Sequence, residues 1–369
     1  ANLLNSSGVA DGLFDSLRYL MGPIRGGIAL AVVIVCTLFA ACTGVIAASI
    51  VSMGLLGLPI MLKYGYDKQL ACGTICAGGS LGILIPPSIM LVVMADMTGL
   101  SVGKLFVGSV VPGVMLAALY AVYILLICWF KPQMGPPLSK EERAKVSTPQ
   151  VLKMCLISLV PPLILILGVL GSIFTGVATP TEASGVGAFL ALLMTIAYGK
   201  FSWKMMEEVT LSTAKTVAMV MMILVGATCF TGIFMGTGGG NAVANALLNL
   251  GLGKWGTFII MHLIIFILGM FLDWIGIVYL TFPIFIPVVQ QLGFDPLWFV
   301  VMTAVNLQSS FLTPPFGYAL FFMKGIAAKD LSTAQIYRSV IPFVILIVLG
   351  MALCIIFPEL ITAPANFVD

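Results

Sequence analysis

Residues 105–130, LFVGSVVPGVMLAALYAVYILLICWF, contain no charged side chain, and runs of the same character recur along the chain. An α-helix needs about 20 mainly apolar residues to cross the hydrocarbon core of a bilayer. Such segments lie at about 27–62, 70–95, 105–130, 151–173, 177–198, 208–235, 255–289, 297–322 and 335–358. Four of them are interrupted: near Thr43-Gly44, by GILIPPS (82–88), near Asp273, and by LTPPFG (312–317). With 60% hydrophobic and 8% charged residues in 369, the chain is excluded from the soluble domains, in which about a quarter of residues are charged. The length accommodates roughly ten crossings or partial crossings. Long runs of Leu, Ile, Val, Met and Phe read as helices, where a β-barrel would show short alternating segments. The fold class is an all-α polytopic membrane protein.

The net charge of +3 is small and scattered, which argues against nucleic acid as a partner and leaves the basic residues as topology signals. The one long polar linker, 131–150, carries Lys131, Lys140, Arg143 and Lys145 and is expected in the cytoplasm. Threading from it puts 63–69, Lys200 and Lys204, and Lys324 and Lys329 inside. The 173–177 turn, the Gly-rich stretch 236–253 and the tail after Pro358 fall outside. The threading requires 27–62 and 255–289 each to return to its own side, and it leaves Lys104 and Lys254 as misfits. The eight cysteines show no zinc or redox spacing and read as small packing residues. The chain opens ANLLNSSGVADGLFDSLRYLMG, with no initiator Met and no signal-peptide core. It reads as starting inside a longer protein.

Overlaying the two halves without gaps discloses a repeat. LPIMLKYGYDKQL (58–70) lies over IPVVQQLGFDPLW (286–298), matching Pro59 with Pro287, Gly65 with Gly293, Tyr66 with Phe294 and Asp67 with Asp295. The same separation of 228 residues carries Pro86 and Pro87 onto Pro314 and Pro315. Lysines flank the first GYD loop and not the second GFD loop, so the copies are expected to face opposite sides of the membrane. That is an inverted-topology repeat, an architecture of secondary transporters.

Each half then holds a re-entrant hairpin followed by a proline-broken helix. Proline lacks an amide hydrogen and clashes with the preceding turn, so carbonyls around Gly82–Leu84 and Ser310–Leu312 are expected to lose helical partners. Unwound backbone at this depth is tolerated only where protein, water or ligand satisfies it. Such carbonyls are hard oxygen ligands suited to sodium, and half-helix N-termini favour an anion. The first hairpin tip, ACTGVIAAS, is rich in hydroxyls around Thr43-Gly44; the second, FLDWIGIV, carries Asp273. Asp273 reads as a functional intramembrane carboxylate, as a helix cap, or as both. Asn306 and Thr313 lie in the facing broken helix and read equally well as interhelical hydrogen-bonding residues. Ser49, Ser88, Glu182 and Gln308 are candidate substrate contacts, although capping is the simplest reading of Glu182 after its Thr-Pro-Thr turn. His262, the only histidine, has no acidic residue at helical spacing and reads as a packed polar side chain rather than a proton relay.

The segments LFAACTGVIAAS, MLKYGYDKQLACGTICAGGSLGILIPPS, FTGVATPTEASGVGA, LDWIGIVYLTFPIFIPVVQQLGFDPLWF and NLQSSFLTPPFG resemble, in this order, the large membrane subunit of tripartite ATP-independent periplasmic (TRAP) transporters. The resemblance implies an elevator-type, sodium-driven importer of small organic acids in the bacterial inner membrane, with no cofactor beyond the coupling sodium. It also implies two partners, a small four-helix membrane subunit and a periplasmic substrate-binding protein. The implied mobile domain spans 24–98 and 255–326. The scaffold comprises the lead-in 1–23, the helices of 99–254 and the final helix and tail 327–369. Implied sodium ligands are Thr43, Gly44 and the Gly79–Ile83 backbone with Leu81 and Gly82, and then Asp273, Gly276, Asn306 and Thr313. The first tip departs from the family's Ser-Gly-Ser pattern, placing Val45 and Ile46 where serines are usual. In this it resembles the branch associated with 2-oxo acids or with mannitol and chloroaromatic labels more than the dicarboxylate or sialic acid branches.

Other classes fit less well. A channel would need a symmetric ring of carbonyls or charges. An intramembrane protease would need the two G-aromatic-D aspartates to share a proton, and they are expected at opposite faces. A proton-coupled organic-anion transporter of related fold is the alternative to sodium coupling.

Overall fold

The computed structural model describes residues 2–144, 146–327 and 331–366. Among them all regular structure is helical. Two short helices, α1 (Asn2–Ser6) and α2 (Val9–Met21), lead into the first repeat. There α3 (Gly27–Thr43) and α4 (Ile46–Lys63) form a hairpin, and α5 (Lys68–Ser80) runs through a 3-10 turn at Leu81–Ile83 to the break, beyond which lies α6 (Ile89–Thr98). The middle of the chain contributes α7 (Val102–Phe130), α8 (Lys140–Ala144), α9 (Thr148–Phe174), α10 (Pro180–Ala197), α11 (Trp203–Gly236) and α12 (Gly239–Leu248). The second repeat follows as α13 (Gly253–Gly269), α14 (Trp274–Gln291), α15 (Pro296–Phe311) and α16 (Tyr318–Ile326). Helices α17 (Thr333–Ile356) and α18 (Glu359–Ala365) close the chain. Seven of these helices are long and apolar enough to span a membrane, and three more, α3, α6 and α13, are apolar but shorter.

Local chemistry explains the repeat. In both copies a glycine with positive φ, Gly65 at 77° and Gly293 at 68°, makes a turn that side chains resist. An aspartate then caps the next helix: Asp67 accepts from the amides of Gln69 (3.0 Å) and Leu70 (2.9 Å), and Asp295 from that of Leu297 (2.8 Å). The aspartates of the two G-aromatic-D triplets are thus helix caps. The Pro86-Pro87 and Pro314-Pro315 bonds are both cis.

Both hairpins return to the side they start from. The Ile28 amide at the start of α3 donates to the Tyr66 hydroxyl beyond the end of α4 (3.0 Å). At the start of α13, Lys254 Nζ donates to the Gly293 carbonyl (2.8 Å), and the Trp255 ring lies 5.2 Å from that of Phe294. Lys254 also lies 4.1 Å from the Phe294 ring centroid, so this misfit of the charge rule is held locally as a cation–π anchor.

The repeats are interlocked by reciprocal packing. Helix α6 lies on α14 while α16 lies on α4, and α7 lies on α15 while α17 lies on α5. Pairwise exchange of this kind is what a two-fold relation produces. Helices α5 and α17 approach so closely at Gly73 that a Cβ there would strike the Ser339 carbonyl.

Three stretches expected to be plain connections hold more structure. The Gly-rich 236–253 stretch contains α12, which packs on α14. The tail after Pro358 contains α18, whose Ile361 and Ala365 are buried against the rest of the chain. The linker is a clasp over its first residues: Gly26 N donates to Gly135 O (2.8 Å), Asp67 N to Met134 O (2.9 Å) and Leu138 N to Gly22 O (2.9 Å), and Leu138 is buried. In each case a few apolar residues find a groove that composition alone does not announce. Of the basic residues used for threading, Lys145 and Lys329 lie outside the described residues, as do 367–369 of the tail.

Candidate functional site

In the first repeat the chain reverses through Gly44, whose φ of 62° and lack of a Cβ are both needed. A Cβ there would sit 3.2 Å from the Pro87 carbonyl oxygen and 3.3 Å from the Ile89 amide nitrogen, so the hairpin tip is seated directly on the break. Thr43 and Ser49 are buried on the two arms with their hydroxyl oxygens 3.5 Å apart. Ser49 also donates to the Val45 carbonyl at 3.4 Å. Gly79 lets the broken helix approach α4, where a Cβ would come within 3.2 Å of the Ile50 amide nitrogen. Past the break, buried Ser88 caps α6 through the Leu91 amide (3.4 Å) and donates to the Ile83 carbonyl at 2.5 Å. The Leu81 carbonyl accepts from Leu84 N and Ile85 N, each at 3.0 Å. Of the carbonyls expected to lose helical partners, that of Ile83 is therefore met by a hydroxyl, while the Leu81 carbonyl beside them is met by two amides of the 3-10 turn.

In the second repeat Asp273 caps α14, accepting from the Ile275 amide at 3.4 Å, so the capping reading holds. Its register partner in the first tip is Val45, which caps α4 with no side-chain hydrogen bond. The Phe271 ring of this tip meets Phe316 of the break at 6.4 Å, and Gly269 lies against Ser310 of α15. Buried Asn306 donates from Nδ2 to the His262 carbonyl (2.7 Å), tying the hairpin arm to the broken helix. Ser309 donates to the Asn306 carbonyl at 2.7 Å, with Asn306 Oδ1 3.4 Å away, and Thr313 donates to the Ser309 carbonyl at 2.7 Å. The Ser310 carbonyl accepts from Thr313 N at 3.0 Å. Gln308, the register partner of Ser80, is fully buried, with neither amide atom hydrogen-bonded. Gly276 lies apart, facing Ala227 and Thr231 of α11. His262 is buried between Phe258 (4.2 Å) and Phe299 (5.1 Å), both ring nitrogens unpartnered, as a packed side chain.

A cavity of about 340 Å³ lies between the first repeat and helices α9–α11. One wall is Cys42, Pro87, Ser88 and Val92; the other includes Leu165, Val169, Ser184, Ala188 and Thr213, with Asn2 at the edge. Of the candidate substrate contacts only Ser88 lines it. Glu182 is exposed and engaged in a capping box with Thr179, accepting from its amide and hydroxyl, both at 2.8 Å. The wall from α9–α11 escaped sequence reasoning because small and aliphatic residues there carry no signature; only the tertiary fold brings them to Ser88.

Residues 1–360 match the family described as tripartite ATP-independent periplasmic transporter, DctM component. The C4-dicarboxylate TRAP transporter large permease protein DctM of Pseudomonas aeruginosa is 31% identical over 99% of this chain and 83% of its own length. The sialic acid TRAP transporter large permease protein SiaM of Vibrio cholerae is 29% identical over 97% and 82%. Among solved structures, the Alcanivorax borkumensis YdaH transporter shares the fold with a TM-score of 0.65 at 14% identity, covering 97% of this chain and 84% of its own. A multi-pass transporter subunit of the bacterial inner membrane rather than an enzyme, the chain belongs to the DctM component family of TRAP transporters, the large permeases that work with a small membrane subunit and a periplasmic substrate-binding protein.

Proposed function

We propose that this permease is a sodium-coupled importer of a small organic acid, handed over by the periplasmic substrate-binding protein and carried across by an elevator motion. A small subunit of four helices completes the scaffold. The seating of each hairpin tip on a helix break carries this reading. The candidate ligands at tip and break are hard oxygens: hydroxyls and backbone at Thr43, Gly44 and the Gly79–Ile83 turn in the first half, and the Asp273 carboxylate, Asn306 and Thr313 in the second. Oxygen donors of this kind suit sodium, a hard cation, and among the described residues no proton-relay chain accompanies them. Two relatives named for carboxylic acids, C4-dicarboxylate and sialic acid, support an organic acid as cargo.

The mobile body is 24–98 with 255–326, moving against α9–α11 across the cavity. The reciprocal packing supports carrying α7 and α17 with it, since each lies on the broken helix of the opposite repeat. The substrate sits at the cavity by Ser88, so that the moving wall carries it past the fixed one.

Vesicles reconstituted with the permease and its two partner proteins test the proposal. Uptake is expected to follow an imposed sodium gradient and to cease when sodium is replaced by choline. Uptake driven by a proton gradient alone, indifferent to sodium, would replace this reading with the proton-coupled one.

A further inference from the structure

We infer that the substrate of this permease is a monocarboxylate with an apolar body, and not a dicarboxylate; this rests on the cavity beside Ser88 being the substrate site. Among the described residues, no lysine, arginine or histidine lines the cavity. Most of its surface comes from side chains such as Leu4, Val92, Phe106, Leu165, Val169 and Ile173. The hydroxyls on the wall have their hydrogens engaged, and Asn2 at the edge commits one of its two amide hydrogens. Ser88 donates to the Ile83 carbonyl, Ser184 to that of Thr181 (2.6 Å) and Thr213 to that of Val209 (2.7 Å), while Asn2 donates to Thr213 (2.9 Å).

An ionised carboxylate taken from water needs cationic or hydrogen-bonding partners in return, and without them its burial is strongly unfavourable. One carboxylate has such a place, at the end of the cavity lined by Cys42, Pro87 and Ser88 next to the Thr43-Gly44 tip, where the sodium of the proposed coupling would supply the counter-charge. A second carboxylate at the far end would face aliphatic side chains and hydroxyls that have nothing left to donate. An apolar body at that end loses nothing and gains contact with the wall, as in most small-molecule pockets.

The test is calorimetric titration of the purified permease in lipid nanodiscs with 4-methylpentanoate and with succinate, in sodium chloride and in choline chloride at neutral pH. In sodium, 4-methylpentanoate is expected to bind at least about tenfold more tightly than succinate. Ala188→Phe, which fills the cavity, should weaken that binding by about tenfold or more. Ser184→Arg, which adds a cation to the wall, should move the preference toward succinate. Succinate binding equally or more tightly, neither acid binding, or both variants leaving selectivity unchanged would overturn the inference. Succinate preference that depends on sodium would overturn it while leaving sodium coupling intact. Selective binding of 4-methylpentanoate that ignores sodium would uphold it and overturn the coupling.

Discussion

The two hairpin tips occupy corresponding places in the repeat and differ in chemistry: Thr43, Gly44 and Val45 stand in register with Phe271, Leu272 and Asp273. Asp273 presents a carboxylate at the start of α14, whereas Val45 at the start of α4 presents a branched hydrocarbon. Around that difference the rest of each site diverges. The first relies on Thr43, Ser49 and Ser88 hydroxyls; the second adds the Asn306 amide, anchored on the His262 carbonyl. Two halves related by a repeat therefore need not be chemically equivalent. The fold keeps a break and a tip in each half, and each half lines them with different oxygens.

The sharpest way to break the comparison is to remove the carboxylate. Asp273→Ala is expected to lower sodium-driven uptake on the order of tenfold or more, with Val45→Ala near the parent rate and both proteins equally monodisperse. Equal losses would mean that the tips are equivalent after all. Next in size, Ser88→Ala removes both the α6 cap and the donor to Ile83, costing about 1–3 kcal/mol. Thr313→Val at the second break should cost less, about 0.5–1.5 kcal/mol, because the Ser309 carbonyl also accepts from Leu312 N at 3.3 Å. Denaturation midpoints of the two variants in one detergent decide the order.

Thr43→Val keeps the shape of the first tip and deletes its hydroxyl. It should raise the sodium concentration for half-maximal uptake by roughly three- to tenfold, the loss of about one hydrogen bond's worth of stabilisation. Smallest of all is His262→Phe. Both imidazole nitrogens are unpartnered between aromatic rings, and replacing an unsatisfied buried polar ring by an apolar one of similar shape changes stability by less than about 1 kcal/mol. A large loss of transport in that variant would give the second half a proton-handling group and reopen the comparison.

What could be read from sequence was whatever acts locally. Pro86-Pro87, Pro314-Pro315, Gly65, Gly293 and the capping aspartates determine backbone within a few residues of themselves, so breaks, turns and the repeat were visible in the letters. Asp273 was recognisable as a candidate because a carboxylate in an apolar run is rare. Structure dictated by distant partners was not visible. Helix α12 hides in glycine-rich sequence because α14 supplies its packing, and the 134–138 clasp depends on the turns at Gly22–Gly26 and Asp67. The pairing of Asn306 with the His262 carbonyl needed α13 and α15 side by side. The apolar wall of the cavity had no signature at all, since aliphatic residues facing a ligand look like those facing lipid.

The close approach of Gly73 to Ser339 bears on how the chain is made. Helix α5 leaves the ribosome about 250 residues before α17, with a face kept bare for it. Until α17 arrives, that glycine-lined groove has no permanent occupant, and loop closure over so much chain is slow. A nascent chain stalled before residue 333 should therefore hold the first repeat open and sensitive to added protease, and completion of α17 should protect it in one step. Synthesis of α17 then serves as the quality check on the first repeat.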